Sequence, residues 1–405
     1  MKQVFQDVSS GETRVVDIPV PACRPGQLLI RSRASLISAG TERSLVEFGR
    51  AGYLAKARQQ PDKVKMVLDK VRTDGLVPTV EAVRSKLAEP LPMGYSNVGV
   101  VIEVGAGIDD VKVGDRVLSN GRHAEVVGVP RNLCAPVPDG LPDEAAAFGV
   151  LGAIGLQGLR LAEPTLGETF VVTGLGLIGL LTVQLLRANG CRVIGIDPDA
   201  DRLDLASSFG AQVVRLDRGV DPVAEVERMT GGLGVDGVLV TASAQTDEIM
   251  HHAASMCRKR GRIVLVGVVG LNLRRSDFYE KELTFRVSCS YGPGRYDPDY
   301  EDQGRDYPLP FVRWTENRNF EAVLGLLSAG RLDVSALVSA RYEIARAEDA
   351  YARLVEDHGV LGVVLRYPDE EGAPEARTVQ HRAPGPPPPG GRGVIGAIGA
   401  GQYLS

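Results

Sequence analysis

A chain of 405 residues, 44% hydrophobic and 24% charged, has the make-up of a soluble globular protein of two or three domains. Its formal net charge of -5 argues against a nucleic-acid or anionic-membrane partner. Five scattered cysteines (Cys23, Cys134, Cys191, Cys257 and Cys289) without a C-x-x-C pair exclude a disulfide framework and a zinc knuckle, and fit a reducing cytoplasm. Met1 to Val4 lead into no apolar signal core and no run approaches a membrane span, so the expected setting is the cytoplasm.

Residues 1–40 read as strands and turns. Gln27 to Ser38 carries a strand pattern after the turn signal Pro25-Gly26, and Gly40-Thr41-Glu42 follows as a loop. Leu45 to Arg58, Pro61 to Arg72 and Thr79 to Ala88 read as helices rich in Lys and Arg. That basic segment fits a solvated helical face, with an anionic-ligand site as the alternative. Residues 93–140 return to β-structure: Val98 to Val104, Val113 to Val117, His123 to Val127 and Leu133 to Pro138 predict a small barrel-like unit. Pro142 to Ala147 starts a helix with acidic residues in its first turn.

Val171 to Asp197 is the most informative stretch. It predicts a strand, a tight glycine turn, a helix over Leu177 to Arg187 and a second strand ending at Asp197. Gly174, Gly176 and Gly179 give the G-x-G-x-x-G spacing. Gly174 allows the turn, Gly176 lets a pyrophosphate approach the backbone, and Gly179 lets helix and strand pack closely. The first amides of the helix then face the phosphates, with Leu175, Leu177 and Ile178 completing the turn. Asp197 is placed to accept hydrogen bonds from the adenosine ribose, which favours NAD over NADP because a carboxylate repels a 2′-phosphate. Arg202 weakens that preference. Up to about Thr284 strands and helices alternate, predicting an α/β doubly wound parallel sheet with ligand at the carboxyl ends of its strands. Thr241, Gly267 and Val268 then border the nicotinamide end.

Residues 285–318 concentrate tyrosines, arginines and acids in a Gly/Pro loop. Tyr291, Arg295, Tyr296, Arg313 and Trp314 offer the aromatic faces and bidentate donors that a polyhydroxylated or carboxylated ligand needs. The alternative is a surface loop pinned by its own ion pairs. Phe320 to Gly330 and Tyr342 to Asp357 read as helices, and Gly362 to Tyr367 as a closing strand. Residues 368–392 read as a flexible Pro/Gly linker. Residues 393–405 look like the first strand and glycine turn of a second, truncated dinucleotide fold.

Taken together, Gly40-Thr41-Glu42, Gly94 to Val101, Val113 to Val117, His123-Ala124-Glu125 and the motif at 174–179 resemble the medium-chain dehydrogenase/reductase family, the zinc alcohol dehydrogenase type, over roughly residues 1–367. The resemblance implies a GroES-like catalytic domain at 1–150 and 286–367, an inserted Rossmann NAD-binding domain at 151–285, and a homodimer. Ala39 stands where zinc members have Cys, and Gly94-Tyr95-Ser96 where they have Gly-His-Glu. Gly149 to Gly155 offers no third ligand, and the four cysteines of the structural zinc lobe are missing. No metal site is expected. Thr41 matches the family's proton-relay hydroxyl, and Tyr95, at the lost His position, becomes the candidate donor to the substrate oxygen. Glu42 replaces an Asp whose usual role depends on the metal, and His123 is more often structural in this motif.

Ala55 to Glu89, Ser290 to Glu316 and the stub after the linker resemble a narrower, zinc-less subgroup. Its members are fused to a C-terminal domain of the glucose-fructose oxidoreductase/inositol dehydrogenase type, which this chain would lack. The expected activity is zinc-independent, NAD(H)-dependent interconversion of a secondary alcohol and a ketone on a sugar-like, cyclitol or nucleotide-sugar substrate. Alternatives are an NADPH-dependent quinone- or enone-reductase-like enzyme and a catalytically silent NAD-binding scaffold.

Overall fold

Two sheets with different burial patterns organise the chain. The computed structural model describes residues 1–7, 10–50, 89–217 and 219–368. The expected helices at 61–72 and 79–88, the end of the one at 45–58, the linker beyond 368 and the stub at 393–405 lie outside them.

The first half is mainly antiparallel. It contains β1 (Lys2–Gln6), β2 (Thr13–Asp17) and β3 (Gln27–Ser38), followed by helix α1 (Ala39–Arg50). After the undescribed segment come β4 (Leu91–Pro92), β5 (Asn97–Val104), β6 (Arg116–Ser119), β7 (Val126–Pro130) and β8 (Cys134–Pro136). The long, almost entirely buried β3 is the axis of this unit, pairing antiparallel with β5 and β7. Two helices, α2 (Asp143–Ala146) and α3 (Gly149–Ala162), then lead out. Contrary to expectation, one run does reach membrane-spanning length and hydropathy. It is Asp143–Ala162, the run of α2 and α3, and most of it is buried in the protein interior.

The second unit alternates strand and helix. Its elements are β9 (Thr169–Thr173), α4 (Leu177–Ala188), β10 (Arg192–Asp197), α5 (Ala200–Ser208), β11 (Gln212–Arg215), α6 (Pro222–Met229), β12 (Val235–Val240), α7 (Glu248–Met256), β13 (Cys257–Leu265), α8 (Arg275–Tyr279) and β14 (Thr284–Val287). Among the described residues the sheet order is β11-β10-β9-β12-β13-β14, all parallel. Phe170, Val171 and Val172 of β9 have no exposed surface, because helices cover both faces of a parallel sheet. The strand order reverses beside β9, and the crevice at that switch point is where such sheets place ligands.

The chain then returns to the first unit through the short α9 (Pro298–Glu301), α10 (Glu316–Ser328), β15 (Val338–Glu343), α11 (Ala347–Glu356) and β16 (Gly362–Arg366). Strand β16 pairs with β3, closing the excursion.

Three local expectations need correction. Gly40-Thr41-Glu42 is not a loop but the first turn of α1. The Glu42 carboxylate reaches back to the Ser38 amide at 3.1 Å, satisfying a donor that the helix start leaves free. The boundary expected at 285/286 falls inside β14, which pairs with β13 through Val287. The helix expected from Tyr342 begins at Ala347, because Tyr342 and Glu343 are still paired to Leu365 and Arg366.

Candidate active site

The glycine turn after β9 forms a cradle made almost entirely of backbone. Gly174 has φ +91°, a conformation that a side chain disfavours. A Cβ on Gly179 would lie 2.0 Å from the Gly174 carbonyl oxygen, so helix α4 approaches β9 as closely as it does only because that carbon is missing. At Gly176 a Cβ would meet nothing within 4 Å. The middle glycine thus faces open space, as a position approached by a ligand requires. Gly176 is also the N-cap of α4 and supplies no side-chain cap, so the amides of the first turn keep their hydrogen-bonding capacity for a phosphate. Leu175 and Leu177 turn their side chains into the core, and Ile178 is half-buried against it. These three contribute main chain to the cradle and packing beneath it.

Asp197 ends β10 and is 3% exposed. Its Oδ2 accepts from the Leu175 amide at 2.6 Å and its Oδ1 from the Asp199 amide at 2.9 Å. The carboxylate therefore braces the glycine turn, a role the sequence pattern did not reveal. Each oxygen keeps a lone pair for a ribose hydroxyl. Arg202 lies 3.5 Å from Asp199 and donates through Nη2 to the His358 carbonyl at 3.0 Å, while its Nε has no hydrogen-bond partner among the described residues. At the far end of the cleft, Thr241 donates its hydroxyl to the Gly174 carbonyl at 2.5 Å. Val268 exchanges backbone hydrogen bonds with Ala242 and Ala244, holding the loops after β12 and β13 side by side. Gly267 fits beneath them, where a Cβ would lie 2.1 Å from the Ala242 carbonyl. These residues provide glycine approach, free helix amides and a carboxylate beyond the second strand, as a pyridine dinucleotide requires.

Thr41 and Tyr95 come together. The Tyr95 hydroxyl donates to Thr41 Oγ1 at 3.3 Å. Burial pushes the phenol up to about 12 despite hydrogen bonds with Ser38 and Thr41, so at neutral pH it is a proton-bearing donor. Tyr291 lies close enough to raise it further. The Tyr291 ring is buried against Phe320, and its hydroxyl accepts from Asn120 Nδ2 at 3.3 Å.

Beneath this pair lies a polar chain that sequence reasoning left without a purpose. Glu42, His123 and Ser35 have no exposed surface. His123 Nε2 is 3.3 Å from Glu42 Oε2, and its Nδ1 is 2.7 Å from Ser35 Oγ. Ser35 Oγ is in turn 2.7 Å from the Tyr367 hydroxyl, and Tyr351 donates to Glu42. Buried polar groups persist when fully partnered. This chain ties β3, α1, α11 and the segment after β16 together and so fixes where Thr41 stands. Its partners are more than 80 residues apart, which is why no local spacing announced them.

The 291–316 loop splits between its two readings. Arg295 is committed to Glu301 at 2.5 Å, Arg305 pairs with Asp299 at 3.5 Å, Arg318 pairs with Asp306, and Tyr307 donates to Asp297. Tyr296 is exposed, under the Arg295 guanidinium at 4.2 Å. This half is pinned by its own pairs. Arg313 and Trp314 are not pinned in that way. Glu316, at the start of α10, is fully buried with no hydrogen-bond partner for either carboxylate oxygen among the described residues. Burial and then Glu301 push it up to about 8, against the pull of Arg295.

Zinc does not fit the positions at which the resemblance would place it. Ala39, Tyr95 and Gly149 bring no thiolate or imidazole, and His123 is occupied by Glu42 and Ser35. Among the described residues, no group of three or more His, Cys, Asp or Glu side chains could hold a metal ion.

Comparison with known proteins agrees with this architecture. A model of the alcohol dehydrogenase GroES-like domain matches residues 65–172, and a zinc-binding dehydrogenase model matches residues 178–302. The chain is 29% identical over 276 residues to D-guloside 3-dehydrogenase of Escherichia coli (strain K12), covering 66% of this chain and 74% of that protein. It is 25% identical over 308 residues to (R,R)-butanediol dehydrogenase of Bacillus subtilis (strain 168), covering 68% and 81%. Galactitol-1-phosphate dehydrogenase from Escherichia coli superposes with a TM-score of 0.70 at 19% identity, over 90% of this chain and 100% of that one.

Proposed function

We propose that the chain is an enzyme of the alcohol dehydrogenase type, in keeping with the two domain models that match residues 65–172 and 178–302, and that it interconverts a secondary alcohol and a ketone on a sugar-like substrate, using NAD(H) and no catalytic zinc. The observation that carries the reading is the pairing of the open Gly176 cradle with the Thr41–Tyr95 hydroxyl pair. Relatives named as guloside and butanediol dehydrogenases support the substrate class.

Bound nicotinamide would supply the hydride chemistry. The chain's own residues do the rest. Gly174, Gly176 and Gly179 give the phosphates access to the amides of α4. Asp197 presents negative charge where a 2′-phosphate would sit, and the charge of Arg202 is partly offset by Asp199. That combination supports NAD(H). Tyr95 keeps its proton at neutral pH and donates a hydrogen bond to the substrate oxygen, with Thr41 Oγ1 orienting the phenol. Where a zinc ion would polarise that oxygen, a neutral, oriented hydrogen-bond donor takes over the task.

Two measurements test the reading. Titration with NADH and NADPH, followed by energy transfer from Trp314, should show preference for NADH; preference for NADPH would instead favour an enone-reductase-like enzyme. A panel of sugars, polyols and nucleotide sugars with NAD should then reveal turnover that survives exhaustive chelation. Turnover lost on chelation and restored by zinc would remove the zinc-free mechanism.

A further inference from the structure

The two arginines of the 291–316 loop differ in one respect. Arg295 is neutralised by Glu301. Arg313 is exposed and has no ion-pair partner among the described residues; its guanidinium carbon lies 3.8 Å from the centroid of the Trp314 ring. The guanidinium carbon of Arg160, from α3, lies 3.4 Å from the same centroid. Two such groups cannot share one face at these distances without overlapping, so the indole is sandwiched between two positive charges.

Neither charge is cancelled. Arg160 has a neutral acceptor, Asn319 Oδ1 at 2.7 Å, and the charged group that acts on it is Arg313. Burial and then Arg313 draw its guanidinium down to about 10, a sign that the pair is held together against repulsion. Attraction to the indole face offsets part of that cost but provides no counter-charge. Planar guanidinium groups present bidentate donor edges, and two such edges flanking the rim of one ring match the oxygens of a carboxylate or phosphate.

The clamp is also connected to the candidate active site. Asn319, which fixes Arg160, donates through Nδ2 to the Tyr291 carbonyl at 2.8 Å. Tyr291 is a residue whose phenol acts electrostatically on that of Tyr95.

We propose that Arg160, Trp314 and Arg313 form an anion-binding site that takes a carboxylate or phosphate carried by a sugar-like ligand. The sugar-like scaffold rests on the proposed function; the anion site does not. Trp314 is the sole tryptophan of the chain, so its emission reports on the clamp directly and without turnover. The full chain is titrated with glucuronate, glucose 6-phosphate and inorganic phosphate, with glucose and ionic-strength-matched sodium chloride as controls. A saturable change of Trp314 emission is expected with the anions and not with the controls. Arg313→Gln, at an exposed position, should weaken the anions about tenfold while leaving thermal unfolding unchanged, and Arg160→Gln should act in the same direction. No saturable change, an equal response to sodium chloride, or an affinity in Arg313→Gln within twofold of the parent would overturn the site. Tighter binding of the acidic sugars than of phosphate assigns the charge to the ligand itself; equal or tighter binding of phosphate assigns it to a separate small anion and overturns the sugar-borne source. Failure of the chain to bind NADH would sink the proposed function and leave this result standing.

Discussion

The glycine cradle and the 291–316 loop are built in opposite ways. The cradle uses main chain: three glycines, the first amides of α4 and one braced carboxylate. The loop uses side chains, and it first neutralises most of its own charges; among the described residues it leaves Arg313 without an ion-pair partner and Glu316 without a hydrogen-bond partner. A backbone site has few ways to be built and tolerates little change. A side-chain site can be retuned residue by residue, which suits the half of an enzyme that chooses its substrate.

The difference is sharpest in the glycines. Gly179→Ala drives a Cβ to 2.0 Å from a backbone oxygen that cannot step aside, so it should cost about 1–3 kcal/mol of stability and lower NADH affinity about 100-fold. Gly176→Ala points into open space. Its thermal midpoint should stay within about 2 °C of the parent while NADH binding weakens by roughly tenfold. Equal effects of the two on stability would mean that Gly176 is a packing glycine and not an approach point.

Tyr95→Phe removes the donor while keeping the ring. Turnover should fall by about 100-fold with NADH affinity unchanged, and an unaltered kcat would take Tyr95 out of the chemistry.

Glu316 offers a smaller, pH-dependent test. Its carboxyl is raised from 4.5 to about 8 in the folded chain, so the folded state holds a proton that the unfolded chain releases near pH 4.5. The stabilisation from that proton is complete below about pH 4.5, is lost progressively as pH rises towards 8, and does not change further above it. Glu316→Gln lacks this loss. Urea unfolding should therefore show the variant gaining a few kcal/mol on the parent between pH 5.5 and 8.5. A difference independent of pH would mean that the ionised carboxylate has a partner. Tyr296→Ala should matter least: an exposed ring stacked only by Arg295 should change KM by no more than about threefold.

Much of the fold was legible because its signals are local. A buried β-branched strand, a glycine turn, an apolar helix and a terminal acid lie within Phe170 to Asp197, and each dictates backbone geometry through its own residues. Where local signals failed, a distant partner had intervened. Gly40 suggested a break, yet Glu42 caps the helix start. Tyr342 suggested a helix, yet it is held in a strand by Leu365.

By itself the sequence determined the order of elements, the doubly wound sheet and the glycine cradle, since glycine spacing and apolar periodicity act within a few residues. Only the tertiary structure decided how the charges were used. It paired Glu42 with His123 beneath Thr41, turned Asp197 into a brace, gave Arg295 to Glu301, and placed Arg160 and Arg313 around one indole. A charged side chain takes whichever partner the packed elements bring within about 4 Å, and for Arg160 and Asn319 that partner lies 159 residues along the chain.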